Sequence, residues 1–267
     1  MNIESIVNKE IAIHCSTPKE AEDLFDMYEV PLNETRWDES KENTCYKITK
    51  REGEDKFDFG FCWKSWYEVS GYDVISFKEF YQSIQNSELL KKLNEFTNRD
   101  FTENDVYIFP ITLCDNRIDI DDEGFSNSAL EEMKTMFLGR HGFIGEDVSP
   151  ARIFYTQIMI DNERKGFFTG KNYVELKAYA FIERNSKNAD IIKKIESKEK
   201  KEVSINCSTN KRTCSICGAD RRKNSCRHIK GRMYGNKKCY IILENITDVY
   251  EWGFVKEPFV SLLADEY

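Results

Sequence analysis

Cys214-Ser215-Ile216-Cys217, then eight residues, then Cys226-Arg227-His228: this stretch decides how the second half of the chain is read. Thiolates two residues apart grip one tetrahedral ion from a tight turn. A second pair, here Cys226 and His228, closes the shell and leaves no open position. A Cys₃His shell suits zinc in a structural role. Gly218 follows the first pair, where a knuckle turn takes it. Arg221, Arg222, Lys223 and Asn224 lie between the pairs, whereas buried structural cysteines usually sit in apolar sequence. Residues 207–239 are therefore read as a zinc knuckle set into a sheet.

Working outward, Val203-Ser204-Ile205-Asn206-Cys207 leads into the knuckle as a strand. Tyr240–Leu243 and Glu251–Val255 follow it as two further strands. Upstream, Val106–Leu113, Arg152–Ile160 and Val174–Ile182 read as strands by alternation and β-branched content. Ser126 caps a helix to Phe137 with Leu130, Met133, Met136 and Phe137 as its apolar stripe. Ala189–Ser197 is a second helix, with Ile191, Ile192 and Ile195. This makes residues 101–267 a mixed-sheet domain.

Residues 1–100 read as a separate, acidic α+β module. Ile11–Cys15 is a short strand. Thr17-Pro18-Lys19-Glu20 is a capping box with proline at the first helical position, and Ala21, Leu24, Phe25 and Tyr28 supply the apolar face. Cys45–Ile48, Phe57–Phe59 and Tyr72–Ile75 read as strands. Ser76-Phe77-Lys78-Glu79 opens another helix, and residues 86–104 carry a helix up to the join, placed near residue 100. The fold class is α+β throughout. His14, in the first strand, is read as a packed or surface histidine.

Charge is unevenly spread. Residues 1–150 hold 16 Lys+Arg against 32 Asp+Glu; residues 151–267 hold 23 against 15. Eleven basic residues crowd 201–238 with only Glu202 and Asp220. Such a surface suits nucleic acid, an acidic partner, or the chain's own acidic half. Nine cysteines, three of them in one metal set with His228, point to a reducing cytoplasm and not a disulfide framework. No stretch approaches the roughly 20 apolar residues of a membrane span, and Met1-Asn2-Ile3-Glu4 opens no signal peptide.

Residues 106–258 resemble the prohead (capsid-maturation) serine proteases of tailed phages, in a branch from phages of Gram-positive hosts that carries a zinc insert. The likeness rests on Leu113-Cys114-Asp115-Asn116, Leu138-Gly139-Arg140, Ala151-Arg152-Ile153, Lys201-Glu202-Val203-Ser204-Ile205, Arg212–Gly218, His228-Ile229-Lys230-Gly231-Arg232 and Tyr250–Val255. The N-terminal module loosely resembles a small module of phage-encoded proteins. In the family the Val-Ser-Ile strand carries the nucleophile, which Ser204 matches. A serine hydroxyl needs a base to take its proton. The family's histidine follows a Gly-basic-x-Gly turn, but this chain reads Gly142-Phe143-Ile144-Gly145-Glu146-Asp147 there. His141, a few residues earlier, is the nearest substitute; Glu251 and Asp248 are candidates to orient it.

Two functions follow from the resemblance. One is a maturation protease that cuts scaffold or capsid precursors through Ser204. The other is a catalytically impaired relative that keeps fold and zinc and binds a protein: a capsid component, a host protein or a host-defence complex. The broken histidine register and the fused acidic module favour the second. Either implies the cytoplasm of an infected bacterium, or the virion.

Overall fold

The computed structural model describes residues 10–50, 57–144, 147–165, 172–197 and 203–255. The chain divides into two compact units, Met1–Lys91 and Lys92–Tyr267.

The first unit is built on a four-stranded sheet of β1 (Ile11–Cys15), β2 (Thr44–Lys50), β3 (Phe57–Trp63) and β4 (Asp73–Ser76), in the order β3-β2-β1-β4. β1 runs antiparallel to β2 and parallel to β4. Helix α1 (Pro18–Asp26) starts at the predicted capping box: Thr17 Oγ1 accepts the Glu20 N–H, and the Glu20 carboxylate accepts the Thr17 N–H. One helical turn, α2 (Trp37–Ser40), precedes β2, and α3 (Lys64–Val69) follows β3. Ala21, Leu24 and Phe25 of α1 pack with Ile11, Ile13, Tyr46, Phe77 and Phe80 on one face of the sheet. Tyr67 of α3 packs with Ala12 and Cys45 on the other. His14 Nε2 lies 2.7 Å from the Glu42 carbonyl oxygen, an ordinary structural contact.

Helix α4 (Phe77–Thr97) begins at the second predicted capping box, with Ser76 and Glu79 bonded reciprocally. It corrects two expectations. Residues 86–97 continue the same helix, because no Gly or Pro breaks the run from Phe77 to Thr97. The units accordingly divide between Lys91 and Lys92, inside α4, and not near residue 100. The helix stops at Asn98, whose left-handed backbone (φ 52°) is one that asparagine tolerates.

The second unit carries one large mixed sheet. Its strands are β5 (Val106–Asp115), β6 (Glu123–Phe125), β7 (His141–Ile144), β8 (Asp147–Lys165), β9 (Asn172–Glu183), β10 (Val203–Cys214) and β13 (Ile241–Phe254). A separate hairpin, β11 (Met233–Tyr234) and β12 (Lys237–Lys238), lies in the connection from β10 to β13. The main order is β10-β13-β7-β8-β9-β5, with β6 added beside β13. Pairing is antiparallel except for β13 with β6 and β7. The sheet curls on itself: β5, last in the order, approaches β10, the first, and the rings of Phe109 (β5) and Phe254 (β13) are 6.3 Å apart. Inside the curl, Ile111, Leu113, Ile153, Leu176, Ala178, Ala180, Val249 and Trp252 are all but inaccessible to solvent. Helix α5 (Asn127–Met136), capped by Ser126 as predicted, adds Ala129, Leu130 and Met133, and α6 (Ala189–Glu196) adds Ile192 and Ile195.

Two strands predicted separately, Tyr240–Leu243 and Glu251–Val255, are one continuous β13. Its polar middle hid it: Asn245 takes a left-handed conformation, and bulges between Asn206 and Cys207 and between Ser208 and Thr209 absorb the irregularity. Because β10 persists to Cys214 and β13 begins at Ile241, the insert is tighter than 207–239; it is the 215–240 connection of a long β-hairpin.

Candidate metal centre

Cys214 is the last residue of β10, so one of the four candidate ligands is fixed by the sheet itself. The neck of the insert closes where Ser215 N–H bonds the Tyr240 carbonyl (3.0 Å) and Tyr240 N–H bonds Ser215 Oγ (2.9 Å). The chain then turns sharply. Gly218 N–H bonds the Cys214 carbonyl at 2.9 Å, and Gly218 has φ +72°, where a side chain would be strained. The backbone N–H groups of Ile216 and Cys217 point at the Cys214 sulfur, and that of Ala219 at the Cys217 sulfur. Asp220 sets the exit by accepting the Arg212 and Arg222 N–H groups.

The second pair closes on the first. Ligand atoms of Cys214, Cys217, Cys226 and His228 all lie within 4.8 Å of one another. Tyr234, from the β11–β12 hairpin, stands edge-on to the His228 ring at 4.6 Å, and its hydroxyl accepts the Ile229 N–H at 2.7 Å. His228 Nδ1 is buried and has no hydrogen-bond partner. A buried imidazole nitrogen without a partner, on a histidine grouped with three thiols, is what a metal-coordinating histidine would show. This cluster can hold a metal ion.

Electrostatics point the same way. Burial opposes ionisation of Cys214, but the Cys217 and Ile216 N–H groups and the Cys217 and Cys226 thiols outweigh it and bring the thiol down to about 6. Cys217 moves the other way: the Ala219 N–H favours its thiolate, but burial and its neighbours Cys214 and Cys226 together raise it. Several thiolates this close repel one another, and a cation is the usual remedy.

The knuckle is anchored by carboxylates the sequence reading did not single out. Glu123 binds the Arg212 guanidinium and, at 2.9 Å, Lys230 Nζ; Asp122 binds Lys238 at 2.6 Å and through its carbonyl accepts the Ile241 N–H. Lys211 pairs with Glu244 at 3.0 Å. Asp122 Oδ2 crowds Gly231, where a Cβ would meet it at 2.8 Å. Part of the basic excess of 201–238 is thus answered by acidic residues of the same unit. The signal was the run Asp119, Asp121, Asp122, Glu123, with no basic residue inside it. Glu123→Ala is expected to cost about 1 kcal/mol, given partly exposed partners. It should speed amide exchange across 215–240 while metal stays bound. Unchanged protection there would mean the anchor lies elsewhere.

The candidate catalytic residues are placed differently. Ser204 (β10) is opposite Gly253 of β13, and Gly253 is opposite Phe143 of β7. Alternation puts His141 on the same face, two residues from Phe143, and Glu251 beside it on β13. All three share the face turned away from buried Trp252, with His141 and Glu251 exposed. A whole strand separates Ser204 from His141. Strand spacing and rise put their Cα atoms roughly 12 Å apart, too far for a catalytic hydrogen bond of about 3 Å. Among the described residues, neither side chain hydrogen-bonds the other. Gly145 and Glu146, where the family's histidine was sought, lie outside the described residues. Asp248 pairs with Arg140 at 3.4 Å, not with His141.

Comparison with protein-family models, with curated proteins and with solved structures gives no match. No helix among the described residues is long and apolar enough to cross a membrane.

Proposed function

We propose that this chain is a zinc-stabilised, non-catalytic binding protein whose second unit is of prohead-protease type, as the sequence resemblance suggests, and that it acts by docking a protein partner in phage-infected bacteria. The observation that carries this reading is the contrast between the two candidate sites. Four metal-ligating side chains converge with an orphaned imidazole nitrogen, whereas Ser204 has no histidine within hydrogen-bond contact. Zinc is the ion that suits three thiolates and an imidazole in a closed tetrahedral shell.

The partner surface we assign is the outer side of the knuckle. Arg222, Arg227, Arg232 and Lys237 are exposed there and pair with no carboxylate among the described residues. Ile229 and Met233 of the same insert are exposed apolar side chains, 48% and 60% accessible. Basic and apolar groups together fit an acidic protein surface, such as a scaffold or capsid component or a host protein, better than a bare phosphate backbone.

The protease alternative draws on one observation, the face shared by Ser204, His141 and Glu251. One experiment separates the two. The full chain is incubated alone and with scaffold or capsid precursor, and products are read by intact mass. Ser204→Ala is expected to leave every mass unchanged. Cleavage products that vanish in both Ser204→Ala and His141→Ala would establish a catalytic pair and end the non-catalytic reading.

A further inference from the structure

We propose that Cys239 is a reserve ligand of the metal centre, able to replace His228 and turn a Cys₃His shell into a Cys₄ shell. The inference rests on the metal reading above and adds a fifth donor to it.

Cys239 Sγ lies 3.9 Å from Cys214 Sγ. Two sulfurs bound to one tetrahedral ion at about 2.3 Å stand about 3.8 Å apart. The spacing is therefore that of two ligands on one metal. Cys226 also lies within electrostatic range of Cys239. The thiol has no solvent exposure, yet it is not packed like the buried cysteines of the first unit. Cys15 sits in that unit's apolar core and Cys45 in the small cluster around Tyr67, while Cys239 belongs to neither.

Its position is built. Cys239 N–H bonds the Arg232 carbonyl and its carbonyl accepts the Gly231 N–H, both at 2.8 Å, which extends the β11–β12 pairing by one step. The same hairpin sets Tyr234 against His228. One element therefore holds both the imidazole in use and the thiol behind it. Cys239 stands just outside the four ligand atoms that lie within 4.8 Å of one another, next to Cys214. Exchange needs that His228 leave, that the Cys239 side chain swing from beside Cys214 toward Cys217 and Cys226, and that its thiol give up its proton to solvent as the sulfur binds. No electron is transferred, and the ligand added is soft, so the Cys₄ form favours thiophilic ions.

The test uses the full chain and Co(II), whose thiolate charge-transfer absorption reports the number of bound sulfurs. The wild type should bind one equivalent. His228→Ala should still bind one equivalent, with that absorption raised by about one third as four thiolates replace three. His228→Ala with Cys239→Ser should lose the ion. Release of metal by His228→Ala alone, or retention by the double variant, would overturn the proposal, as would a single variant whose absorption does not rise. Failure of the wild type to bind any metal is a different result, and it would remove the metal reading itself.

Discussion

Cys217→Ser is expected to empty the metal centre and unfold the insert while leaving the curled sheet standing. Cys217 is the exposed partner of the tight turn, and its sulfur is held by the Ala219 N–H. Beyond thiol contacts with Cys214 and Cys226, a bound ion is what would tie it to the second pair. In isolated zinc fingers the bound ion supplies about 10–16 kcal/mol of folding free energy. Here the consequence should be local. The sheet has its own apolar core, and the insert enters and leaves through the β10–β13 hairpin. Metal content should fall from about one equivalent to near zero. Amide protection should vanish across 215–240 and survive in β5, β8 and β9. A chelator should do the same to the wild type, and acid should assist it, since the ligands bind as thiolates and neutral imidazole. Protein purified without chelator and found free of zinc would defeat the assignment of zinc. Full protection of 215–240 in Cys217→Ser would show that the insert folds without any ion.

Much of this was legible in the sequence. Capping boxes are local, so Thr17–Glu20 and Ser76–Glu79 could be read from four residues each and are formed as read. The ligand set was equally local: spacing and residue type alone brought Cys214, Cys217, Cys226 and His228 together. Non-local features escaped. Cys239 is brought beside Cys214 by hairpin pairing, not by its spacing in the sequence, and Asp122 and Glu123 reach the insert only because β6 runs beside β13. β13 itself was cut in two because a bulge and a left-handed asparagine mimic a turn. β7 was missed altogether, since four residues beginning His141-Gly142 show no alternation to read. The catalytic question fell between these cases. Ser204 could be matched by motif, but its distance from His141 depends on β13 lying between their strands, which no local pattern states.

That intervening strand is locked by a second feature with a large expected effect. Trp252 is fully buried in the core of the second unit, and its indole N–H bonds the Arg140 carbonyl at 3.3 Å. Its six-membered ring packs against Gly142 of β7, where an added Cβ would stand 2.7 Å from two ring carbons. No side chain larger than hydrogen fits there without moving the ring, and a ring wedged among buried neighbours has nowhere to go. The contact sets β7 against β13 and so turns His141 to the outer face. Trp252→Ala should cost about 3–5 kcal/mol through lost burial and the cavity left behind. Gly142→Ala should cost about 1–3 kcal/mol through overpacking. The two changes should not be additive. Trp252→Phe withdraws the clashing ring carbons, so Gly142→Ala should be milder in that background, with a coupling of about 1 kcal/mol or more. Denaturant unfolding of the four proteins, followed by far-ultraviolet circular dichroism, measures the cycle. Additive costs would mean that the indole does not fill the space above Gly142. The register of β7, and with it the separation of His141 from Ser204, would then have to be held by something else.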